Sequence, residues 1–285
     1  MPEDHLALER LAVDLARAAG RLIVEERPDR VGVAATKSSA VDIVTVMDRA
    51  SEQLIRSRLA AERPDDGFLG EEGGGGGSAR SGITWVVDPI DGTVNYLYGI
   101  PAYAVSVAAV EGDPARSGAW RPVAAAIVNP ATGAEFHARR GGGAWRVMNG
   151  EATALQASTR DDLGLALVAT GFGYVAARRA WQAEVLRHVL PRVRDIRRIG
   201  SAALDLCRVA EGTVDAFWER GLNPWDLAAG WLVATEAGAV LGGPRAGDAP
   251  CEDLAWAAAA GLAEAFPALL REGIDAAPAE VPEAG

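Results

Sequence analysis

Along residues 4–27, Leu8, Leu11, Leu15 and Leu22 fall on one stripe, with arginine and glutamate on the other side, which predicts an amphipathic helix. A second helix is predicted over Thr45–Ala61, with Leu54, Ile55 and Leu59 apolar and Pro64 beyond its end. Gly73–Gly77, five glycines followed by Ser78, favour no single conformation and read as a mobile loop inside a domain. From Ile83 the period shortens to two. Ile83–Val87 reads as an apolar strand ending at Asp88, and Tyr103, Val105, Val107 and Ala109 alternate as a strand with one buried side. Strands continue over Val123–Val128, Ala134–Ala138 and Ala144–Val147, joined by the turn Asn129–Gly133 and closed by Asn149-Gly150, in an antiparallel style.

The later chain mixes both periods. A strand is predicted at Ala166–Thr170, a helix over Trp181–Leu190, and a helix over Ala202–Ala210 that stops near Gly212. A strand follows at Asp215–Trp218, then a helix from Pro224 to Ala237 stopped by Gly238. A last helix is predicted over about Leu254–Leu270, and residues 271–285 read as a flexible Ala/Pro/Glu tail. No internal repeat is present. The pattern predicts mixed α and β of the α+β type, with sheets covered by helices. It predicts one domain over 1–270, in halves of about 1–150 and 151–270.

Composition narrows the function classes. Apolar residues make up 49% and charged residues 24% of the 285, which excludes disorder for the bulk of the chain. The net charge of −11 has the wrong sign for nucleic acid or an anionic membrane held by simple attraction. The longest uncharged run, Gly92–Val110, holds Asn95, Pro101 and three tyrosines, so it reads as turn and strand and not as a span. Met1-Pro2-Glu3-Asp4 lacks the basic segment and apolar core of a signal peptide. Cys207 and Cys251 are too far apart for a disulfide framework or a thiolate metal site. A cytoplasmic location is expected. With His5, His137 and His188 all distant from one another, nothing supports a histidine-based centre.

Carboxylates instead carry the candidate chemistry. In Asp88-Pro89-Ile90-Asp91-Gly92-Thr93, Asp88 ends a strand, Pro89 turns the chain, and Asp91 follows three residues on, so both carboxylates can converge on one cation. Carboxylates and a backbone carbonyl are the ligands that hard ions such as Mg2+ take. Gly92 and Thr93 then open a short helical turn whose free N–H groups suit an anion. Each segment alone also has a plainer account. Turn aspartates usually cap backbone, and the pair Glu71-Glu72 is usually solvated. Asp226, just after Pro224, suits a helix's first turn, and Asp48 suits a helix cap.

Taken together, Asp88-Pro89-Ile90-Asp91-Gly92-Thr93-x-Asn95, the upstream Gly70-Glu71-Glu72 and the downstream Trp225-Asp226-x-Ala228-Ala229-Gly230 resemble the signatures of the inositol monophosphatase family, in order and spacing. The resemblance runs from about residue 6 to about residue 265. It implies a layered α-β-α-β-α sandwich of the sugar-phosphatase kind, a homodimer, and a Mg2+-dependent, lithium-sensitive phosphatase with two to three ions per site. Glu71, Asp88 and the Ile90 carbonyl would hold the first ion. Asp88, Asp91 and Asp226 would hold the second, and a third, weaker ion would lie near Glu71. Glu71 and Thr93 would position and help deprotonate the attacking water, and Asp48 would support the Thr93 hydroxyl. The amides of Gly92 and Thr93 would hold the phosphate, and Lys37 would lie on a loop flanking the site. Attack by water without a phosphoenzyme is implied, in keeping with the lack of candidate nucleophiles.

The resemblance also bears on substrate. Glu219, seven residues before Asp226, matches a family glutamate that accepts hydrogen bonds from sugar hydroxyls; its plainer account is a strand-end residue paired with Arg220. Gly200-Ser201-Ala202-Ala203 matches the segment against the inositol ring, and Asp91 would also meet a ring hydroxyl. Arg197 and Arg198 point either to substrate or to a subunit contact. Inositol-1-phosphate is the leading substrate and histidinol phosphate the runner-up. Fructose-1,6-bisphosphate and phosphoadenosine phosphate rank lower. A regulatory protein- or RNA-binding role is the remaining alternative. Tyr96 stands where many members have Phe. Glu71, Asp88, Asp91 and Asp226 put four negative charges in one cleft, which two Mg2+ would cancel and a third would reverse, so substrate binding should require metal first.

Overall fold

The computed structural model describes residues 5–28, 31–36, 43–76 and 79–278. The chain opens with α1 (His5–Glu25), a ribbon of β1 (Ala35–Thr36) and β2 (Ile43–Val44), and α2 (Val46–Glu62). Next come β3 (Gly67–Gly70), β4 (Gly74–Gly76), β5 (Ile83–Asp91), α3 (Thr93–Tyr98), β6 (Ala104–Gly112), β7 (Trp120–Asn129), β8 (Ala134–Arg139), β9 (Ala144–Met148) and β10 (Glu151–Ala154). The last part holds β11 (Leu167–Thr170), α4 (Ala176–Val189), β12 (Asp195–Arg197), α5 (Ala202–Ala210), β13 (Ala216–Glu219) and α6 (Pro224–Glu236). It closes with β14 (Val240–Gly242), β15 (Ala255–Ala258) and α7 (Ala265–Ala276).

Strands β3 to β10 form one eight-stranded sheet in the order β10-β9-β8-β7-β6-β5-β3-β4, antiparallel except where β3 runs parallel to β5. The second sheet has the order β12-β11-β13-β15-β14, with β11 parallel to both its neighbours. Side chains alternate across each strand, and both faces of the central strands are covered, while the edge strand β10 is exposed. Trp85, Val87, Val105 and Val107 pack against α1 and α2, whereas Val86, Ala104, Ala108 and Ile127 pack against α5 and α6. The opposite faces of α5 and α6, at Leu206, Val209, Leu227 and Ala234, meet Phe217 and Ala257 of the second sheet. Trp218 and Trp256 on its far face meet Trp181 and Val185 of α4 and Phe266 and Leu269 of α7. The result is the layered α-β-α-β-α sandwich.

Several sequence expectations need correction. Residues 254–258 are not helix: Ala255–Ala258 is a strand hydrogen-bonded to both β13 and β14. Alanine favours helix, but a segment buried on both faces between two partners gains more from the ladder than from propensity. The helix starts only at Ala265, with Pro267 tolerated in its first turn. It runs through Ala276, and Ile274 packs on the core, so the tail does not begin at residue 271. Gly74–Gly76 pairs with Phe68–Gly70 as an edge strand, where a loop was expected, while Gly77 and Ser78 lie outside the described residues. The β6 strand is buried on both sides, not one, because α5 and α6 cover its alanine face. Helix α4 begins at Ala176, before Trp181.

Polar groups fix α1 to the sheet and to the turn after β5. Glu9, buried on α1, takes His137 Nδ1 and Arg139 Nη1 of β8, each at 2.7 Å. The buried Tyr96 hydroxyl donates to the Ile23 carbonyl at 2.8 Å, one of the last four of α1 that lack a helical amide. The Arg27 guanidinium lies 4.3 Å above the Tyr96 ring and donates to the Tyr96 carbonyl at 2.7 Å. A phenylalanine at this position leaves the carbonyl unpaired. Tyr96→Phe is therefore expected to cost about 1–2 kcal/mol in urea unfolding; an unchanged midpoint would show that the bond does not anchor the turn.

Candidate metal and phosphate site

Residues three apart in a regular strand face opposite sides, so Asp88 and Asp91 should not meet. They meet because the β5–β6 register breaks between them: Asp88 pairs with Ser106 and Asp91 with Ala104. Three steps on one strand oppose two on the other, a bulge that Pro89 favours because it has no N–H for the ladder. The Ile90 amide donates to Asp88 Oδ1 at 3.0 Å, which fixes the turned carboxylate.

The third carboxylate comes from a helix start. Asp226 stands in the first turn of α6, where Oδ2 accepts from the Asn223 amide at 2.6 Å. Oxygens of Asp88, Asp91 and Asp226 all lie within 4.8 Å of one another. Asp91 Oδ2 in turn accepts from Ser201 Oγ at 2.6 Å and from the Ala203 amide at 2.7 Å, so the start of α5 holds it. Ser201 thus acts on Asp91, while Ala202 lines the open cleft. Glu71 follows β3, whose pairing carries on through its amide to the Val87 carbonyl at 3.2 Å. Its carboxyl shares a hydrogen bond with Asp88.

Burial and mutual repulsion set the electrostatics. Burial, then the charges of Glu71, Asp91 and Asp226, hold the Asp88 carboxyl well above the usual carboxylate range. Burial pushes Asp91 up to about 6 although Ser201 and the α5 amides bond its charged form. Asp226 is also raised well above normal, by burial and then Glu71 and Asp91. No cationic group is among the causes for any of the three. A set of oxygen ligands, crowded and uncompensated, fits a hard divalent cation.

Beside this cluster, Thr93 opens α3. Its hydroxyl lies 3.1 Å from Asp48 Oδ1 and 3.0 Å from the Ile90 carbonyl, and donates its one proton between these acceptors. Asp48 is fully buried at the start of α2, where Oδ2 accepts from the Thr45 amide at 2.8 Å. It therefore caps α2 and faces Thr93 at once. Gly92 has φ of +92°, and a Cβ there would lie 2.9 Å from the Ala102 carbonyl oxygen and 3.0 Å from that of Gly200, so only glycine fits.

A cleft of about 370 Å3 opens on this floor, lined by Glu71, Asp91, Gly92, Ala202 and Asp226. Glu219, half-buried at the end of β13, lines its wall. Glu219 Oε2 approaches Gly171 so closely that a Cβ there would be 2.1 Å away. Arg220 lies over the Trp181 ring at 4.5 Å. Arg198 lines the cleft, whereas Arg197 bonds Asp195 at 2.6 Å. Lys37 lies outside the described residues. The sequence reading missed Asp205, Tyr174 and Arg178 on the wall. Only Asp205 left a signal there, as a charge on the apolar face of α5.

The sequence matches the model of the inositol monophosphatase family over residues 5–276. The chain belongs to this family. Members of the inositol monophosphatase family are phosphoric monoester hydrolases, so the chain is a phosphatase. It is 46% identical to the inositol-1-monophosphatase SuhB of Mycobacterium tuberculosis, over 94% of this chain and 91% of that one. The solved structure of Mycobacterium tuberculosis SuhB superposes with a TM-score of 0.79 at 42% identity, covering 95% of this chain and 98% of that one. A Pseudomonas aeruginosa relative called Nus factor SuhB is 40% identical, over 81% of this chain and 83% of that one.

The raised carboxyls of this phosphatase have a consequence for stability. Their folded values exceed those of an unfolded chain, so the metal-free protein binds more protons folded than unfolded and loses stability as pH rises. The window runs from about pH 4, the unfolded value, past the Asp91 value of about 6. In a chelator, the melting temperature should fall between pH 5 and pH 8. Asp226→Asn should raise it at pH 8, by roughly 2–4 °C per kcal/mol of repulsion relieved. A melting temperature that rises with pH would contradict the uncompensated cluster.

Proposed function

We propose that the protein hydrolyses inositol-1-phosphate to inositol and phosphate by Mg2+-dependent attack of water. The observation that carries this reading is the meeting of Asp88, Asp91 and Asp226 at a cleft that Asp91, Gly92 and Asp226 line, with the Thr93–Asp48 pair hydrogen-bonded next to Gly92. Asp88, Asp91 and Asp226 would hold one Mg2+, and Glu71, Asp88 and the Ile90 carbonyl another, with a third, weaker ion near Glu71. When bound, the ions supply charge neutralisation and a lowered pKa for water near neutral pH.

The chain's own groups do the rest. The Thr93 oxygen would accept the proton that the attacking water loses, while the Thr93 hydroxyl proton passes to the Asp48 carboxylate to which it is hydrogen-bonded. Glu71 faces the same water as an acceptor. The amides of Gly92 and Thr93, at the start of α3 where no helical carbonyl serves them, orient the phosphate oxygens. Glu219 accepts from ring hydroxyls across the cleft, and Asp91 does so on the floor. The name inositol-1-monophosphatase carried by the 46%-identical relative supports this substrate.

Histidinol phosphate is the second reading, because Glu219 serves a substrate ammonium equally well. The name Nus factor on a 40%-identical relative leaves room for a regulatory role beside the enzyme. Among the described residues no helix is long and apolar enough to cross a membrane. We place the protein in the cytoplasm, as a lithium-sensitive homodimer, on the family likeness.

Phosphate release from inositol-1-phosphate, histidinol phosphate and fructose-1,6-bisphosphate should be measured in parallel with and without Mg2+. Release should require Mg2+ and show the highest kcat/KM with inositol-1-phosphate. Asp226→Asn should lower it by at least about a hundredfold, since even outer-shell groups of metal sites are worth 10–100-fold. Equal rates in the two proteins would refute the mechanism, and faster histidinol phosphate turnover would refute the substrate.

A further inference from the structure

One buried acid on the cleft wall has no task in this mechanism. Asp205 stands in the first turn of α5 and is 1% exposed. It lines the cleft beside Glu219 and Arg198. Among the described residues its Oδ1 takes no hydrogen bond. The other buried aspartates are all bonded: Asp48 by Thr45, Asp88 by the Ile90 amide, Asp91 by Ser201, and Asp215 by Ser158 Oγ at 2.6 Å and the Leu167 amide at 2.8 Å.

Leaving a buried acceptor without a donor costs about 1–3 kcal/mol, more when it is charged. Packing does not account for it, because the neighbours of Asp205 on α5, Leu204 and Leu206, are apolar residues that fill the two adjoining cores. Arg198 and Arg208 attract Asp205 from a distance, but neither forms an ion pair with it among the described residues. Asp205 lines the cleft, so a group that enters there can supply the missing donor.

We propose that Asp205 is a specificity-determining residue that accepts a hydrogen bond from a hydroxyl of the substrate's polyol ring. This rests on the polyol-phosphate reading above. Glu219 and Asp205 both line one wall, close enough that Asp205 raises the proton affinity of Glu219. Two carboxylates of this kind offer acceptors to two ring hydroxyls. A phosphate ester without hydroxyls leaves both unpaired, which is how a buried polar site rejects the wrong substrate.

The test compares kcat/KM for inositol-1-phosphate and for phenyl phosphate, an ester without hydroxyls, in wild type, Asp205→Ala and Asp205→Asn. Thermal unfolding confirms that each variant folds, and Asp205→Asn, nearly the same in shape, serves alone if the alanine variant does not. The ratio of the two kcat/KM values should fall about tenfold in Asp205→Ala, in line with the roughly 1–3 kcal/mol cost of a buried polar group left unpaired. Asp205→Asn should keep part of the preference through its remaining carbonyl oxygen. A ratio unchanged in both variants, whether the two rates fall together or not at all, overturns the proposal and leaves the substrate reading standing. Wild-type turnover of phenyl phosphate without turnover of inositol-1-phosphate overturns the substrate reading, and this proposal with it.

Discussion

Three carboxylates held within 4.8 Å, two buried and one half-buried, with no cation of the chain among the causes of their raised proton affinity, are the constraint on which the structure depends. Such a group is unfavourable by itself. It is tolerated because a backbone amide at the end of a regular element grips each member: Ile90 for Asp88, Ala203 for Asp91 and Asn223 for Asp226. These amides fix the geometry through one oxygen of each carboxylate. The site is thus assembled from the edges of elements, where amides are unspent, and not from their middles.

The layers explain how those edges come together. Helices α5 and α6 lie side by side between the two sheets, and the starts of both reach the cluster. They can do so because Gly230 faces Leu206, where a Cβ would lie 2.6 Å from a leucine methyl carbon. The β5 bulge feeds in from one sheet and Glu219 from the end of β13 in the other. Tyr96 and Asn95 then tie α3 to both halves of the molecule, the asparagine through the Ala102 and Ile199 carbonyls at 2.7 and 2.9 Å.

Much of this was legible beforehand because local signals agreed with tertiary need. The Asp88–Asp91 spacing, the proline and glycine around it, and Pro224 before Asp226 are short-range chemistry, and α5 has the limits its pattern predicts, Ala202–Ala210. The errors arose where long-range pairing overrode propensity. Ala255–Ala258 has a helix-forming sequence but two strand partners, and Gly74–Gly76 is ordered only by Phe68–Gly70 across from it. Asp205 was missed for another reason: one acid on an apolar helix face carries meaning only once the cleft beside it is known.

The acidity of the chain has the same logic at larger scale. A net charge of −11 repels a phosphate ester at long range, and the cleft repels it most strongly while its acids stand alone. On the proposed mechanism, cations bound there would cancel and then reverse that charge where the phosphate would dock. The most direct test is calorimetric titration of the protein with inorganic phosphate, in Mg2+ and in a chelator. Phosphate should bind in Mg2+ and show no measurable binding in the chelator. Equal affinity in both would contradict the account, because the carboxylate cluster would then not govern phosphate binding.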